Sequence, residues 1–307
     1  MMRTIAVHRI LGLVLILFTA SSDLLGAPLP DSVSVPGTSH FANFGTNKVH
    51  YVRSGRGPQS LVFVHGWGGN LDFWKEQVPA LENKANLILI DLPGHGRSDW
   101  DPRATSPAAQ AWRVHETLAP LTERYTLLGW SLGGQLALDL AAALPAGIER
   151  LVLIATTPKF LKSPTWRCGT PRPLLARLVH RLHAESERAV SDFLALLASG
   201  SAPHTAARVV SKLRAALRVH GGACPEALTA GLARLRDGDL RSALPMVRMP
   251  ALVVAGQRDR IIRRTAVRAL AHALPDAHYL EVAGAAHAPF LSHPVQFARE
   301  LNGFLHA

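Results

Sequence analysis

The chain has only two cysteines in 307 residues, Cys168 and Cys224. Two thiols exclude a disulfide framework and any C-x-x-C metal site. A single bridge between them stays open, because the sequence does not give the distance that separates them. The histidines also lack H-E-x-x-H or similar spacing, so we expect no metal ion.

Nucleotide-binding loops and membrane-spanning runs are also missing. No P-loop or Rossmann glycine fingerprint occurs, so no nucleotide cofactor is expected. The apolar stretch Ile10 to Ala20 is shorter than the roughly 20 residues of a transmembrane helix. Arg3 and Arg9 precede it and small residues follow it, which predicts a signal peptide over residues 1–27, with an uncleaved anchor as the alternative.

Acidic residues are scarce, with 22 Asp and Glu against 33 Lys and Arg, for a net charge of +11. Residues 159–249 hold fifteen basic and six acidic residues, so this segment alone carries +9. Such an excess suits an acidic partner, or it is simply a solvated basic surface. No recognition motif accompanies the charge, so we do not expect nucleic acid as a partner.

Short runs rich in Val, Ile and Leu recur along the chain, with helical patterns between them. Such runs are typical of parallel strands that helices cover on both faces. They predict an α/β protein with a mostly parallel, doubly wound sheet, preceded by a hairpin around Phe44 to Gly57. The predicted strands are Leu61–Val64, Leu87–Ile90, Tyr125–Leu128, Leu151–Ile154, Ala251–Ala255 and Tyr279–Val282.

The predicted organisation is one core domain with one insertion. A Pro- and Ser-rich linker is expected over residues 28–39, and the core over 40–158 and 250–307. Residues 159–249 contain helix-like Leu and Ala spacing and no convincing strand. We therefore expect a basic helical cap between two strands of the sheet.

The segment Gly129-Trp130-Ser131-Leu132-Gly133 fits G-x-S-x-G and continues a predicted strand. A helix-like run, Gly134 to Ala143, follows it. Strand, sharp turn and helix form the context of a nucleophile elbow, in which the serine is exposed on a strained turn. Ser131 is therefore the candidate nucleophile.

A serine nucleophile needs a base and an acid that orients the base. In an α/β hydrolase the chain order is Ser, then Asp or Glu after a late strand, then His after the last strand. Asp259 and His287 occupy these two places, and Asp91, after an earlier strand, is the alternative acid. The expected triad is Ser131, His287 and Asp259.

The oxyanion hole needs two backbone N–H donors, one after the serine and one in a loop after an early strand. Leu132 would supply the first donor. Trp67, in His65-Gly66-Trp67-Gly68, would supply the second, with its indole as a wall of the acyl pocket. His65 is expected to brace this loop.

Four segments of the chain form a set of motifs. They are H-G-W-G at 65–68, D-L-P-G-H-G-R-S at 91–98, G-W-S-L-G-G at 129–134 and H-A-P-F-L-S-H-P at 287–294. Together they resemble the BioH family, the pimeloyl-[acyl-carrier protein] methyl ester esterases of biotin synthesis. The resemblance implies an α/β-hydrolase fold with a cap, a carrier-protein partner and cofactor-free hydrolysis of a methyl ester through an acyl-enzyme.

The same resemblance assigns roles within the cap. It implies that Arg188, Arg208 and Lys212 contact acidic carrier protein, although Asp192 stands where the family pattern has another arginine. The residues that it places along the acyl chain are Phe193, Leu194, Ala195, Leu196 and Leu197.

Other functions share this residue pattern. An exported carboxylesterase or lactonase for small esters would use the same triad and would explain the leader-like segment, whereas carrier protein is cytoplasmic. A C–C hydrolase also stays open, because a triad does not reveal which bond is cut. A non-catalytic ligand receptor would not need Ser131, Asp259 and His287 together. A monomer is expected.

Overall fold

The computed structural model describes residues 34–176 and 187–306, without the side chains of Pro107 and of residues 187–191. The predicted signal peptide, residues 1–27, lies outside these ranges, as does the first half of the predicted linker, residues 28–33. None of the described helices is both long and apolar enough to span a membrane.

A single sheet of eight strands forms the centre of the fold, in the spatial order β1-β2-β4-β3-β5-β6-β7-β8. The first two strands pair antiparallel, β2 pairs antiparallel with β4, and all later pairs are parallel. The strands are β1 Thr38–Phe44, β2 Asn47–Gly55, β3 Gln59–Val64, β4 Ala85–Ile90, β5 Tyr125–Trp130, β6 Ile148–Ile154, β7 Ala251–Gly256 and β8 Ala277–Val282.

The apolar runs explain the parallel part of the sheet. All six residues of β5 and of β7 are buried, as expected for strands covered on both faces. Each predicted parallel strand lies within an observed one, so the predicted α/β class is confirmed.

The predicted start of the hairpin was wrong. Its first strand begins at Thr38, six residues before the predicted Phe44 and inside the predicted linker. This edge strand is half exposed and mixes polar with apolar residues, so it carries no apolar run. Its place in the sheet comes from pairing with β2.

Helices cover both faces of the sheet and fill the insertion between β6 and β7. Short 3-10 helices span Leu71–Gln77 and Arg241–Met246, and residues 172–176 are also helical. The helices are α1 Val78–Leu81, α2 Pro107–Leu118, α3 Leu132–Ala143, α4 Glu187–Ala198, α5 Pro203–His220, α6 Pro225–Asp237, α7 Arg264–Ala273, α8 Pro289–Ser292 and α9 Pro294–His306.

The insertion packs back onto the core as a helical cap. Helix α5 contacts both α8 and the 3-10 helix at residues 71–77, while α6 contacts α2. Both cysteines are free, so the bridge left open by the sequence is absent. Burial raises the pKa of the Cys224 thiol to about 11.

Candidate active site

Ser131 lies on a sharp turn between β5 and α3. Its backbone adopts φ 56° and ψ −113°, a region that L-residues rarely occupy. Strain of this kind costs about 1–3 kcal/mol and persists only where neighbouring structure enforces it. The turn lifts the Ser131 side chain out of both the strand and the helix.

The flanking glycines are required by close packing of the backbone around this turn. A Cβ at Gly129 would lie 2.5 Å from the carbonyl oxygen of Gly133. A Cβ at Gly133 would lie 2.4 Å from the carbonyl oxygen of His65. Any side chain at either position would push β5, α3 and the loop after β3 apart.

The three predicted triad residues meet at the carboxyl edge of the sheet. Nε2 of His287 lies 3.0 Å from Oγ of Ser131, and Nδ1 of His287 lies 2.8 Å from Oδ2 of Asp259. His287 and Asp259 are both buried. With Nδ1–H donated to Asp259, Nε2 is free to accept the proton of Ser131.

The loop after β7 holds the Asp259 carboxylate in place. Oδ1 accepts the backbone N–H groups of Ile261 at 2.8 Å and Ile262 at 3.0 Å, which leaves Oδ2 for His287. These bonds fix the carboxylate plane, and hence the orientation of the imidazole.

Asp91, the alternative acid, forms a hydrogen bond with a different histidine. Its Oδ2 lies 2.7 Å from Nδ1 of His50, and its Oδ1 accepts the N–H of Leu71 at 2.7 Å. Burial works to raise the pKa of Asp91, but the His50 hydrogen bond and the nearby imidazoles hold it below its ordinary value. The alternative triad with Asp91 is therefore not formed.

The loop after β3 lies directly against the serine. A Cβ at Gly66 would come within 3.3 Å of Cβ of Ser131. Among the residues that the structure describes, no hydrogen bond engages the backbone N–H of Trp67 or of Leu132. Both amides are thus available as donors beside Ser131.

His65 braces this loop, as expected. Its Nδ1 donates to the carbonyl of Gly66 at 2.8 Å, and its Nε2 accepts the N–H of Leu92 at 3.0 Å. Burial lowers the pKa of His65, and burial together with His65 lowers the pKa of His95 to about 3. Both imidazoles are neutral beside the site.

Trp130, next to the nucleophile, supports the catalytic histidine loop. Its Nε1 donates to the carbonyl of His287 at 2.8 Å, and the two rings lie 5.5 Å apart. The cap supports the same loop, since the N–H of His287 donates to the carbonyl of Leu197 at 3.1 Å. The cap and the core therefore position His287 together.

Sequence reasoning missed three residues behind the nucleophile. Oγ1 of Thr156 donates to the carbonyl of Ser131 at 2.7 Å, and Nε2 of Gln135 donates to the carbonyl of Thr157 at 3.0 Å. Nε of Arg234, on α6, donates to Oε1 of Gln135 at 3.1 Å. The position of Thr156, two residues after the end of β6, was the one available signal, because carboxyl ends of parallel strands carry sites.

The predicted acyl-chain residues differ in their surroundings. Phe193 is buried and packs edge-on against Trp67, with ring centroids 5.3 Å apart. Leu194 and Leu197 are buried and Leu196 is partly buried, whereas Ala195 is exposed. The structure therefore brings Phe193 to the loop at residues 65–68, which we refer to as the oxyanion loop after the role expected for Trp67, and leaves Ala195 on the surface.

The predicted carrier-binding residues are engaged within the chain where they are described. Nη2 of Arg208 donates to the carbonyl of Ser292 at 2.8 Å, and Nζ of Lys212 lies 2.5 Å from Oε2 of Glu76. The side chain of Arg188 lies outside the described residues, and Asp192 is exposed. Arg208 and Lys212 thus tie α5 to the core.

No group of three or more His, Cys, Asp or Glu side chains suited to a metal ion occurs among the described residues. The chemistry that the site offers is that of a serine nucleophile with a histidine base. A mostly parallel sheet, a strained serine elbow and an acid and histidine after the last strands define the class of α/β hydrolases.

Comparison with known proteins agrees with this class. The model of the alpha/beta hydrolase fold family matches residues 59–294. A pimeloyl-[acyl-carrier protein] methyl ester esterase of Xanthomonas oryzae pv. oryzae is 39% identical over 257 residues, covering 84% of this chain and 98% of the relative. The enzyme of that name from Sodalis glossinidius is 35% identical, over 82% of this chain and 95% of the relative.

Solved structures share the architecture. A hydrolase from Pseudomonas aeruginosa PA01 superposes with a TM-score of 0.74 at 28% identity, covering 89% of this chain and 100% of that chain. The enol-lactonase of Burkholderia xenovorans LB400 shares the fold, with a TM-score of 0.75 at 23% identity, covering 87% and 100% of the two chains.

The chain belongs to the α/β-hydrolase family and, within it, to the family of pimeloyl-[acyl-carrier protein] methyl ester esterases. It is a carboxylic ester hydrolase.

Proposed function

We propose that this protein hydrolyses the methyl ester of pimeloyl-[acyl-carrier protein], using Ser131 as nucleophile. The observation that carries the proposal is the Ser131–His287–Asp259 arrangement on a strained elbow beneath the cap, with distances of 3.0 Å and 2.8 Å. Relatives of that name, similar over nearly their whole length, support the substrate.

In the acylation step, Oγ of Ser131 attacks the ester carbonyl carbon while Nε2 of His287 accepts the hydroxyl proton. Asp259 stabilises the resulting imidazolium. The tetrahedral intermediate collapses as His287 protonates the methoxy oxygen, and methanol leaves. A water molecule then attacks the acyl-enzyme by the same route, which releases the free carboxylate and restores Ser131.

The amides of Leu132 and Trp67 hold the negative charge that develops on the carbonyl oxygen. Removal of one such donor typically costs about 10²- to 10³-fold in kcat. The indole of Trp67 is fixed by a hydrogen bond of 3.0 Å to the carbonyl of Leu228 on the cap. A cap residue thereby helps to set one of the two donors.

The acyl chain runs between the oxyanion loop and the cap, where Phe193 packs against Trp67. The cap's excess of positive charge favours an acidic protein carrier over a free small ester. Exposed basic residues in the described part of the cap that form no ion pair would meet that carrier first. They include Lys162, Arg167, Arg172, Arg218 and Arg248.

The test is methanol release from pimeloyl-[acyl-carrier protein] methyl ester, compared with hydrolysis of a small aryl ester. Protein starting at Pro28 and the full chain are both assayed, with Ser131→Ala as control. We expect turnover of the carrier-bound ester to exceed that of the aryl ester, to vanish in the variant, and to weaken as salt screens the cap.

Equal or better turnover of the aryl ester, without dependence on carrier protein or salt, would replace this proposal with a general carboxylesterase or lactonase. Full biological effect of Ser131→Ala protein would point instead to a non-catalytic receptor.

A further inference from the structure

A second set of serine, histidine and aspartate joins the opening hairpin to the residue that follows β4. Nε2 of His50 lies 2.9 Å from Oγ of Ser39, and Nδ1 of His50 lies 2.7 Å from Oδ2 of Asp91. These distances match those of the Ser131 site to within 0.1 Å. We refer to Ser39, His50 and Asp91 as the hairpin triad.

The antiparallel pairing of β1 and β2 creates this arrangement. Ser39 pairs with Val52, and Phe41 pairs with His50, so Ser39 and His50 are diagonal neighbours on one face. Asp91 directly follows β4, the next strand in the sheet. Ser39 on β1 thus lies four strands from β5, about 20 Å away at about 4.8 Å per strand, while His50 on β2 and Asp91 after β4 lie between them.

The hydrogen bonds around the hairpin triad fix the direction of proton transfer. Asp91 also accepts hydrogen bonds from the N–H groups of Leu71 and Arg97, at 2.7 Å and 3.0 Å. Its carboxylate therefore acts only as an acceptor, and Nδ1 of His50 carries the proton that it donates to Asp91. Nε2 of His50 is then the acceptor for the Ser39 hydroxyl. This is the tautomer that a general base requires.

Ser39 differs from a buried structural serine because it is exposed, whereas His50 and Asp91 are fully buried. Nη1 of Arg97 donates to Oγ of Ser39 at 3.2 Å, which places a cation beside the nucleophilic oxygen. The guanidinium also lies 5.2 Å from the ring of Phe41, which is half buried. An aromatic ring and a cation therefore flank the hydroxyl.

We propose that Ser39 is a second nucleophile, which accepts acyl groups from small activated aryl esters through the His50–Asp91 pair. Oγ of Ser39 bonds to the acyl carbon, its proton passes to Nε2 of His50, and the bond to the aryloxy group breaks. His50 then protonates the departing phenolate. Water reverses the sequence and releases the carboxylic acid.

The surroundings set the substrate class. No backbone elbow or paired amides surround Ser39, which sits within a regular strand, so Arg97 is the donor for developing negative charge. A site without an oxyanion hole is slow and needs a good leaving group. An aryl group would pack beside Phe41, over whose ring Lys48 Nζ lies at 4.7 Å, with its phenolate oxygen toward Arg97.

The experiment uses the full chain with Ser131→Ala, so that acylation at the principal site cannot occur. The protein is exposed briefly to p-nitrophenyl acetate, and acetylation at each serine is measured by peptide mass spectrometry. Ser211 is the internal control, because it is exposed and no histidine of the described residues bonds to it. We expect at least tenfold more acetyl on Ser39 than on Ser211.

Arg97→Gln, at an exposed position, should lower the Ser39 signal several-fold without loss of folding. A second measurement avoids changing buried His50. Ser39→Cys and Ser211→Cys are compared for their rate with iodoacetamide, and the His50–Asp91 pair should make the cysteine at position 39 at least tenfold faster.

Equal acetylation of Ser39 and Ser211 would overturn the proposal, and so would equal rates for the two cysteine variants. Either result would leave the hairpin triad as a structural tie between β1, β2 and the loop after β4. Neither result bears on Ser131, which is absent from the acetylation experiment.

Discussion

The side chains of Ser131, Asp259 and His287 are oriented by their own loops and form hydrogen bonds with residues that are distant in the chain. Asp259 and Asp91 both follow buried strands, yet each is committed to a different histidine by the hydrogen bonds of its own loop. Both histidines present Nε2 to a serine. What separates the two sites is the elbow at Ser131, where paired amides lie beside the nucleophile.

Asp259→Asn should lower kcat without unfolding the protein. The amide cannot hold His287 in the tautomer that leaves Nε2 free, so kcat should fall by about 10⁴-fold while the protein stays folded. Steady-state kinetics and a thermal melt check this.

Asp91→Asn is the matched control. It weakens bonds to His50 and Leu71, so it should lower stability by about 1–3 kcal/mol while most of kcat is retained. The reverse pattern, with kcat lost in Asp91→Asn and kept in Asp259→Asn, would exchange the roles assigned to the two carboxylates.

At the scale of elements, helix α6 contacts both sides of the proposed oxyanion hole. The carbonyl of Leu228 accepts the Trp67 indole, and Arg234 bonds to Gln135 on α3. Between them, Gly231 packs against Trp67 and Leu132. These three residues of α6 are spaced three apart, so they share one face of the helix.

Gly231→Ala should misplace the oxyanion loop. A Cβ there would lie 2.3 Å from Cδ1 of Trp67, so the indole must shift. Displacements of about 1 Å can cost about 10²-fold in rate, and we expect a fall in kcat of that order with little change in KM.

Gly303→Ala, in α9, is the matched control because a Cβ there meets nothing within 4 Å. It should stabilise the protein by about 0.5–1 kcal/mol and leave kcat unchanged. Unchanged kcat in both variants would show that α6 does not set the oxyanion loop.

Arg234→Met should loosen the cap from α3. Nη1 of Arg234 lies 2.7 Å from Oδ2 of Asp139, and the arginine side chain is only 7% exposed. Removing the cation leaves a largely buried carboxylate unpaired, at a cost of about 3 kcal/mol in the free energy of unfolding. Chemical denaturation measures this loss.

Combining Arg234→Met with Asp139→Leu should recover most of the lost stability, because both charges are then gone. A double variant as unstable as Arg234→Met alone would mean that packing, and not the ion pair, dominates at this contact.

For the whole molecule, acid stability depends on carboxylates whose pKa is lowered by neighbouring arginines, as at Asp101. The hydrogen bond from Arg103 lowers the pKa of Asp101 to about 2, with Arg113 of α2 adding to the effect. Because this pKa is depressed in the folded state, its stabilisation is present above about pH 4 and is lost as pH falls toward 2.

Asp101→Asn should therefore narrow the difference in Tm between pH 5 and pH 2. The lower Tm of the variant should appear mainly at pH 5, and the two proteins should converge at the acid end. An identical pH dependence in both proteins would mean that Asp101 does not contribute to acid unfolding.

Part of the positive charge of the molecule is used in ion pairs within the chain. Much of the cap's basic excess is bound within the chain, as at Lys159 and Arg241 with Asp239, and at Lys212 with Glu76. Composition alone does not distinguish these cations from exposed ones such as Arg167 and Arg248. The Lys159–Asp239 and Lys212–Glu76 pairs join residues 80 and 136 positions apart in the chain, so these pairs form only when distant segments pack.

The sequence by itself determined the parallel strands, the elbow serine and the order of acid and base. Each of these follows from local information, since apolar runs mark strands covered on both faces and G-x-S-x-G needs only a strand before it and a helix after it. The early edge strand at Thr38 carried no such pattern and was placed too late.

Only the tertiary structure decided which groups are partners. In the structure, Asp259 bonds to His287, and Asp91 bonds to His50 beside Ser39. Arg234 bonds to Gln135 behind the nucleophile. These bonds join residues far apart in the chain, and their distances depend on strand order, register and cap packing. No pattern within a short window of sequence contains that information, because hydrogen-bond geometry is fixed only when distant segments pack.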